Sequence, residues 1–145
     1  MNNEEGYLLV VGTAFIRNGK VLVSMSKRSA KKGKYTLVGG GVETYDGSFR
    51  RAAKRECEEE IANGFVIDEK QLVPIIVFRE PALSDPSINI EMHMYLSLKD
   101  IDVDIEPNDE IVEYRWFTLG EDESILSTAV KDHFIPWAKK NNIMY

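Results

Sequence analysis

Apolar residues along much of the chain occur in short, β-branched runs that predict strands. Residues 7–16 are almost all apolar, and a second run at 21–25 follows a polar stretch that contains Asn18-Gly19. Because Asn-Gly is typical of tight turns between paired strands, these runs predict a β-hairpin. Further strands are predicted at four later apolar runs, 35–38, 72–78, 88–98 and 111–117.

The hydrophobic pattern changes to a helical period at residues 48–61. This segment lacks Pro and Gly, and Phe49, Ala53, Cys57 and Ile61 recur every four positions, so they form one apolar stripe on a helix. A last helix is predicted at 123–140, kinked or begun again near Pro136. Strands around two helices indicate an α/β fold, with a mixed sheet covered by helices on its faces.

Composition limits the classes of function. The chain has 145 residues, a length typical of a single domain over 1–145, and 24 acidic against 18 basic residues give a net charge of −6. This charge disfavours a broad nucleic-acid surface or an anionic membrane as partner. No apolar run approaches the ~20 residues of a membrane span. The single cysteine and the absence of a secretory pattern at the N-terminus predict a cytoplasmic protein.

The charges on the central helix are ordered against its dipole. Basic residues fill its first half and acidic residues its second half, namely Arg50, Arg51, Lys54 and Arg55, then Glu56, Glu58, Glu59 and Glu60. Each such charge costs about 0.3–1 kcal/mol when exposed. Arg55 can pair with Glu59, but Glu56 and Glu60 still repel each other at the edge of the apolar stripe. A divalent cation on these carboxylates would relieve the repulsion, and a plain solvated acidic surface is the alternative.

A specific resemblance joins this helix to the glycines before it. The segment Gly39-Gly40-Gly41-Val42-Glu43, followed by Ala52-Ala53-Lys54-Arg55-Glu56-Cys57-Glu58-Glu59-Glu60, resembles the signature of the Nudix hydrolases, G-x5-E-x7-R-E-U-x-E-E-x-G-U with U aliphatic. One residue is extra between the glycines and Arg55. The first glutamate of the signature therefore falls on Asp46 when counted from Gly40, and on Gly47 when counted from Arg55. Either Asp46 takes its role with a shorter side chain, or the role is lost.

The resemblance implies a Nudix-type α/β/α sandwich and Mg²⁺-dependent hydrolysis, with Mn²⁺ as a substitute. The expected reaction is cleavage of a phosphoanhydride (pyrophosphate) bond in a nucleoside diphosphate linked to another moiety, such as a nucleoside triphosphate. By similarity, the metal ligands are Glu56, Glu60, Glu59 and a backbone carbonyl near Gly39. The catalytic residues are Glu59, which is a ligand or activates water, Arg55, which orients it, and Glu110 or Glu113 as a base from elsewhere in the chain. A plain acidic strand end is the alternative for Glu110 and Glu113.

One basic cluster precedes the glycines in this acidic chain: Lys27, Arg28, Lys31, Lys32 and Lys34. It is either a binding site for polyphosphate or a solvated loop. Arg28 is the preferred phosphate ligand because its guanidinium offers a bidentate fork. With Lys34 and Asp46 it forms the predicted substrate-binding set.

Two other functions stay open at this stage. The signature glutamate missing at Gly47 is compatible with a domain that binds nucleotide as a sensor with little or no turnover. An acidic interaction module without a ligand is a more distant alternative. The sequence does not specify the nucleotide base, the leaving group or the general base. A homodimer is compatible with it.

Overall fold

The computed structural model describes residues 1–145. Seven strands and three α-helices follow one another in this order: β1 (Leu8–Ala14), β2 (Ile16–Arg17), β3 (Lys20–Ser26), α1 (Lys27–Ala30), β4 (Val38–Gly41), α2 (Phe49–Ile61), β5 (Leu72–Pro81), β6 (Asn89–Ser97), β7 (Ile111–Phe117) and α3 (Ile135–Lys140).

The strands form two sheets. The larger one has the order β4-β1-β6-β5 and is mixed, because β1 and β6 are parallel while the other pairs are antiparallel. The smaller sheet, β2-β3-β7, is antiparallel. One hydrophobic core lies under α2 and the other lies under the C-terminal helical segment. The chain is thus an α/β protein with a mixed sheet between helical layers, as predicted.

The predicted hairpin is present, but its first strand is shorter than the sequence indicates. Asn18 and Gly19 both have positive φ, 51° and 75°, as a tight hairpin turn requires. The apolar run 7–16 is divided at Phe15, since β1 pairs with β4 and β6 whereas β2 pairs with β3. Phe15 is buried in the core below α2. The break at Phe15 therefore depends on which strands pair with β1 and β2. The apolar run 7–16 does not encode this pairing.

The strand predicted at 35–38 lies further along the chain. Tyr35 and Thr36 form only isolated bridges, and the regular strand β4 consists of Val38 and the three glycines. An added Cβ at Gly39 would lie 2.0 Å from the carbonyl oxygen of Val11. Glycine therefore permits a close approach of β4 to β1 here, where sequence patterns usually indicate a turn.

The helix predicted at 123–140 is not continuous. It consists of a 3₁₀ turn at Glu123–Ile125, a π-helical turn at Ala129–Phe134 and α3. The restart near Pro136 is confirmed, because proline cannot donate the hydrogen bond that would continue a regular α-helix. No helix is long and apolar enough to cross a membrane.

Candidate active site

Helix α2 presents two buried carboxylates to the glycine strand. Its apolar residues pack against β1, and Ser48 caps it by accepting a hydrogen bond from the Arg51 amide. Glu56 and Glu60 lie on the border of this packed face and are only 9% and 7% exposed. The border position inferred from the helical period is confirmed.

These carboxylates lie very close to the glycines of β4. The Gly39 amide donates to Glu60 Oε2 at 3.0 Å. A Cβ added to Gly40 would lie 2.7 Å from the Glu56 carboxylate, so the end of the Glu56 side chain would have to shift. The carboxylates thus lie directly against the backbone of the edge strand.

Burial and mutual repulsion make ionisation of this pair unfavourable. Burial, then the charge of Glu56, raises the pKa of Glu60 well above its usual range, and the Gly39 hydrogen bond offsets only part of this. Burial also raises the pKa of Glu56, against the opposing effect of Arg55. The charge of Glu110 contributes to both pKa increases.

Arg55 connects the glycine loop to the acidic half of α2. It forms a two-pronged pair with Asp46, with Nε–Oδ1 and Nη2–Oδ2 distances of 2.7 and 2.9 Å. It also donates to Glu56 at 3.0 Å, to Glu59 at 3.2 Å and to the Gly41 carbonyl at 2.9 Å. The Arg55 hydrogen bond lowers the pKa of Asp46. Arg55 therefore fixes the position of Glu56 relative to the glycine strand.

The extra residue in the signature is accommodated at Gly47. This glycine has a left-handed φ of 79°, and the buried carboxylate that reaches Arg55 belongs to Asp46. The register counted from Gly40 therefore describes the geometry of the loop. The loop places Asp46 behind Arg55, outside the open cavity.

Glu56 and Glu60 open onto a cavity of about 570 Å³ between the sheets and the C-terminal segment. Gly39, Gly40 and Gly41 line it beside the two carboxylates, and Arg28 and Glu110 line it as well. Arg28 belongs to α1, which Ser26 and Ser29 cap reciprocally, so part of the basic cluster is ordered as a helical turn. The cavity thus combines strand backbone, two basic residues (Lys27 and Arg28) and five carboxylates (Glu56, Glu60, Glu80, Asp109 and Glu110).

Several predicted site residues do not line this cavity. The Glu59 side chain is 51% exposed and bonds to Arg55. Glu113 accepts a hydrogen bond from the Tyr35 hydroxyl, and the Lys34 ammonium bonds to the Ser124 carbonyl. Of the two candidate bases, only Glu110 faces the cavity.

Asn108 is a site residue that sequence inspection missed. Its side-chain NH₂ donates to the Glu60 carbonyl at 2.8 Å, and its oxygen accepts from the Glu110 amide at 2.9 Å. Tyr114 donates to the same carbonyl at 2.5 Å. Asn108 therefore holds the loop of Glu110 against the end of α2. Its position in an acidic, turn-rich stretch gives no signal of this role.

The donor set fits a hard, hydrated cation, although no group of three His, Cys, Asp or Glu side chains forms a ready-made metal cage. Glu60 has no cationic partner, and Glu56 has only Arg55. Mg²⁺ is commonly held by one or two carboxylates, several waters and substrate phosphates. Glu56 and Glu60 are the side chains that would hold it, and the burial of two carboxylates beside a single arginine is the observation that supports the fit.

Comparison with known proteins agrees with this architecture. The NUDIX domain family matches residues 6–138. A MutT NUDIX hydrolase from Burkholderia pseudomallei superposes with a TM-score of 0.70 at 23% identity, covering 86% of this chain and 93% of that one. The MutT protein from Methanosarcina mazei Go1 gives 0.70 at 21% identity, covering 97% of this chain and 99% of that one.

A third solved structure is larger than this chain. It is a bifunctional NMN adenylyltransferase/ADP ribose pyrophosphatase from Francisella tularensis, complexed with AMP and Mn ion, with a TM-score of 0.65 at 19% identity. The match covers 93% of this chain and 42% of that one. No curated protein matches the sequence significantly. Because the family match extends over nearly the whole chain and the glycine strand and α2 carry the corresponding residues, the chain belongs to the Nudix hydrolase family.

Proposed function

We propose that this Nudix hydrolase cleaves a phosphoanhydride bond in a nucleoside diphosphate linked to another moiety, with Mg²⁺ as cofactor and Mn²⁺ as a substitute. The observation that carries the proposal is the pair Glu56 and Glu60. Both carboxylates are buried, face one cavity and lack enough positive charge to compensate them. Burying two carboxylates in this way costs stability, and a purely structural role would not offset that cost.

The residues around the pair suit phosphoryl transfer. When bound, a divalent cation supplies charge stabilisation on phosphate oxygens and a more acidic water. Glu56 and Glu60 would hold it, Arg55 keeps Glu56 in place, and Arg28, which lines the same cavity, would bind phosphate. Such reactions depend chiefly on positioning and electrostatic stabilisation, which rigid carboxylates on a helix provide.

Glu110 is the favoured base for the attacking water. It lines the cavity, and its backbone is held by Asn108 and by a hydrogen bond from the Lys27 amide to its carbonyl at 3.0 Å. The Glu59 side chain is half exposed and bonds to Arg55, and Glu113 accepts a hydrogen bond from the Tyr35 hydroxyl, so Glu110 is preferred to both. The AMP and Mn ion named for the Francisella protein support a nucleotide and a divalent cation as ligands of this fold.

The test is a substrate panel of nucleoside triphosphates, dinucleotides, nucleotide sugars and capped RNA, assayed for release of phosphate or nucleotide. We expect turnover of at least one class with Mg²⁺ or Mn²⁺, none with chelator, and loss of most activity in Glu60→Gln. Arg17→Gln is a control, since Arg17 pairs with the exposed Asp100 and does not line the cavity. Turnover that survives Glu60→Gln would contradict the proposal.

A nucleotide sensor with little turnover is the second candidate. The exposed position of Glu59, away from the cavity, is the observation that favours it. In that case nucleotides bind in Mg²⁺ and no member of the panel is hydrolysed faster than in Glu60→Gln.

A further inference from the structure

The cavity continues beyond the Glu56 and Glu60 pair across an apolar floor. The floor consists of alternate residues of β1 and β6, including Val10, Ile90 and Met92, all of which line the cavity. Because side chains alternate along a strand, these residues lie on the face of the sheet opposite α2. A half-buried apolar floor of this kind suits a flat ring.

Another carboxylate of the cavity, Glu80, lies at the far side of this floor. It lies on β5 and pairs in register with Ile90. The neighbouring row on this face runs from Gly41 through Val10 and Met92 to Phe78, two residues before Glu80 on β5. Strand β5 is three strand spacings, about 14 Å, from β4. A nucleotide whose phosphates lie at the glycine strand therefore has room to extend its base toward Glu80.

Glu80 is fixed in place and still has acceptor capacity. The Thr128 hydroxyl donates to its Oε2 at 2.7 Å, and His133 Nε2 lies 3.0 Å from its Oε1. The side chain is 14% exposed, and neither lysine nor arginine pairs with it. A carboxylate has about four acceptor positions. Glu80 thus has acceptor positions left for a donor in the cavity.

We propose that Glu80 accepts a hydrogen bond from the exocyclic amino group of the substrate base, so that the site prefers adenine or cytosine to hypoxanthine or uracil. The latter bases place a carbonyl oxygen where the former have an amino group. A carbonyl oxygen facing Glu80 would leave two buried acceptors opposed and unpaired, which a polar site rejects strongly. This inference rests on the proposed function for the position of the phosphates.

The test measures binding of AMP, IMP, CMP and UMP by calorimetry in Mg²⁺, without need for turnover. The members of each pair differ only in the base. We expect wild-type protein to bind AMP about tenfold or more tighter than IMP, with the same order for CMP and UMP. Glu80→Gln should reduce both ratios below about threefold, because an amide also donates to a carbonyl.

Glu91→Gln is the matched control. Glu91 is on the neighbouring strand, its side chain is 16% exposed, and it contacts a histidine, with His93 Nε2 at 2.9 Å. Unlike Glu80, it also pairs with an arginine, Arg79, at 3.0 Å. It points to the other face of the sheet and does not line the cavity. The AMP/IMP and CMP/UMP affinity ratios of this variant should equal those of the wild-type protein. Should Glu80→Gln not fold, Thr128→Val at an exposed position removes the hydrogen bond from the Thr128 hydroxyl to Glu80 and should bring the AMP/IMP affinity ratio closer to one.

Two results separate failure of this inference from failure of the proposed function. Nucleotide binding with equal affinity within each pair, or a preference that Glu80→Gln retains, overturns the role of Glu80 alone. No binding of any of the four nucleotides overturns both proposals.

Discussion

Replacing Glu60 with glutamine should stabilise the metal-free protein. The substitution removes a negative charge from the C-terminal half of α2, worth about 0.3–1 kcal/mol at the dipole, and a few tenths more from repulsion with Glu56. The amide oxygen still accepts the hydrogen bond of the Gly39 amide. Burial adds to the gain, because a neutral amide costs less to bury than an ionised carboxylate. The free energy of unfolding should therefore rise by about 1 kcal/mol, or about 3 °C in Tm.

The assay is thermal melting and urea unfolding in chelator at neutral pH, with Glu58→Gln as control. Glu58 lies on the same half of α2, but its carboxylate accepts from Lys54 at 2.6 Å and from the Ile67 amide at 3.1 Å. The same chemical change should lower stability there. A loss of more than about 1 kcal/mol in Glu60→Gln would refute the view that this carboxylate is under electrostatic strain.

Three further predictions concern the pH dependence of stability and the kinetics of variants at Asp46 and Arg28. Because the pKa of Glu60 is raised in the folded state, stability should fall as pH rises from about 4.3 through the raised pKa, and Glu60→Gln should lose part of that decline in chelator melts. Asp46→Asn should reduce turnover more than Gly47→Ala, since Asp46 pairs with Arg55 and Gly47 does not, and equal effects would show that Arg55 does not need Asp46. Arg28→Ala should raise KM about tenfold or more with little change in kcat, whereas Lys31→Ala should have little effect because Lys31 does not line the cavity; an unchanged KM in steady-state kinetics would remove Arg28 from the phosphate site.

Local patterns predicted the elements whose determinants are local. Helix α2 begins and ends close to the predicted bounds 48–61, because its period and its Ser48 cap are both encoded within the segment. The break at Phe15 and the displacement of β4 depend on contacts between distant strands. The contact between Gly39 and the Val11 carbonyl, which leaves no room for a Cβ, is an example of such a determinant. No local sequence pattern contains it.

The residues of the candidate site that lie on α2 and in the basic cluster were predictable from the sequence, and those brought in by tertiary packing were not. Spacing on one helix brought Glu56 and Glu60 together, the resemblance to the Nudix signature added Arg55, and Arg28 followed from its place in the basic cluster. Asn108 and Glu80 reach the site through tertiary packing, and nothing in their neighbouring sequence distinguishes them. The exposure of Glu59 follows from the precise rotation of α2 and from its bond to Arg55, which spacing alone left undetermined.

A Mg²⁺ titration followed by thermal melting tests most directly whether Glu56 and Glu60 form a metal site. Binding to the folded state adds about 2.7 kcal/mol at a hundred times Kd, or about 8 °C in Tm for a chain of this size. We predict such a rise for wild-type protein and for Glu58→Gln, and none for Glu60→Gln. A wild-type Tm that Mg²⁺ leaves unchanged, or an equal rise in Glu60→Gln, would contradict the account.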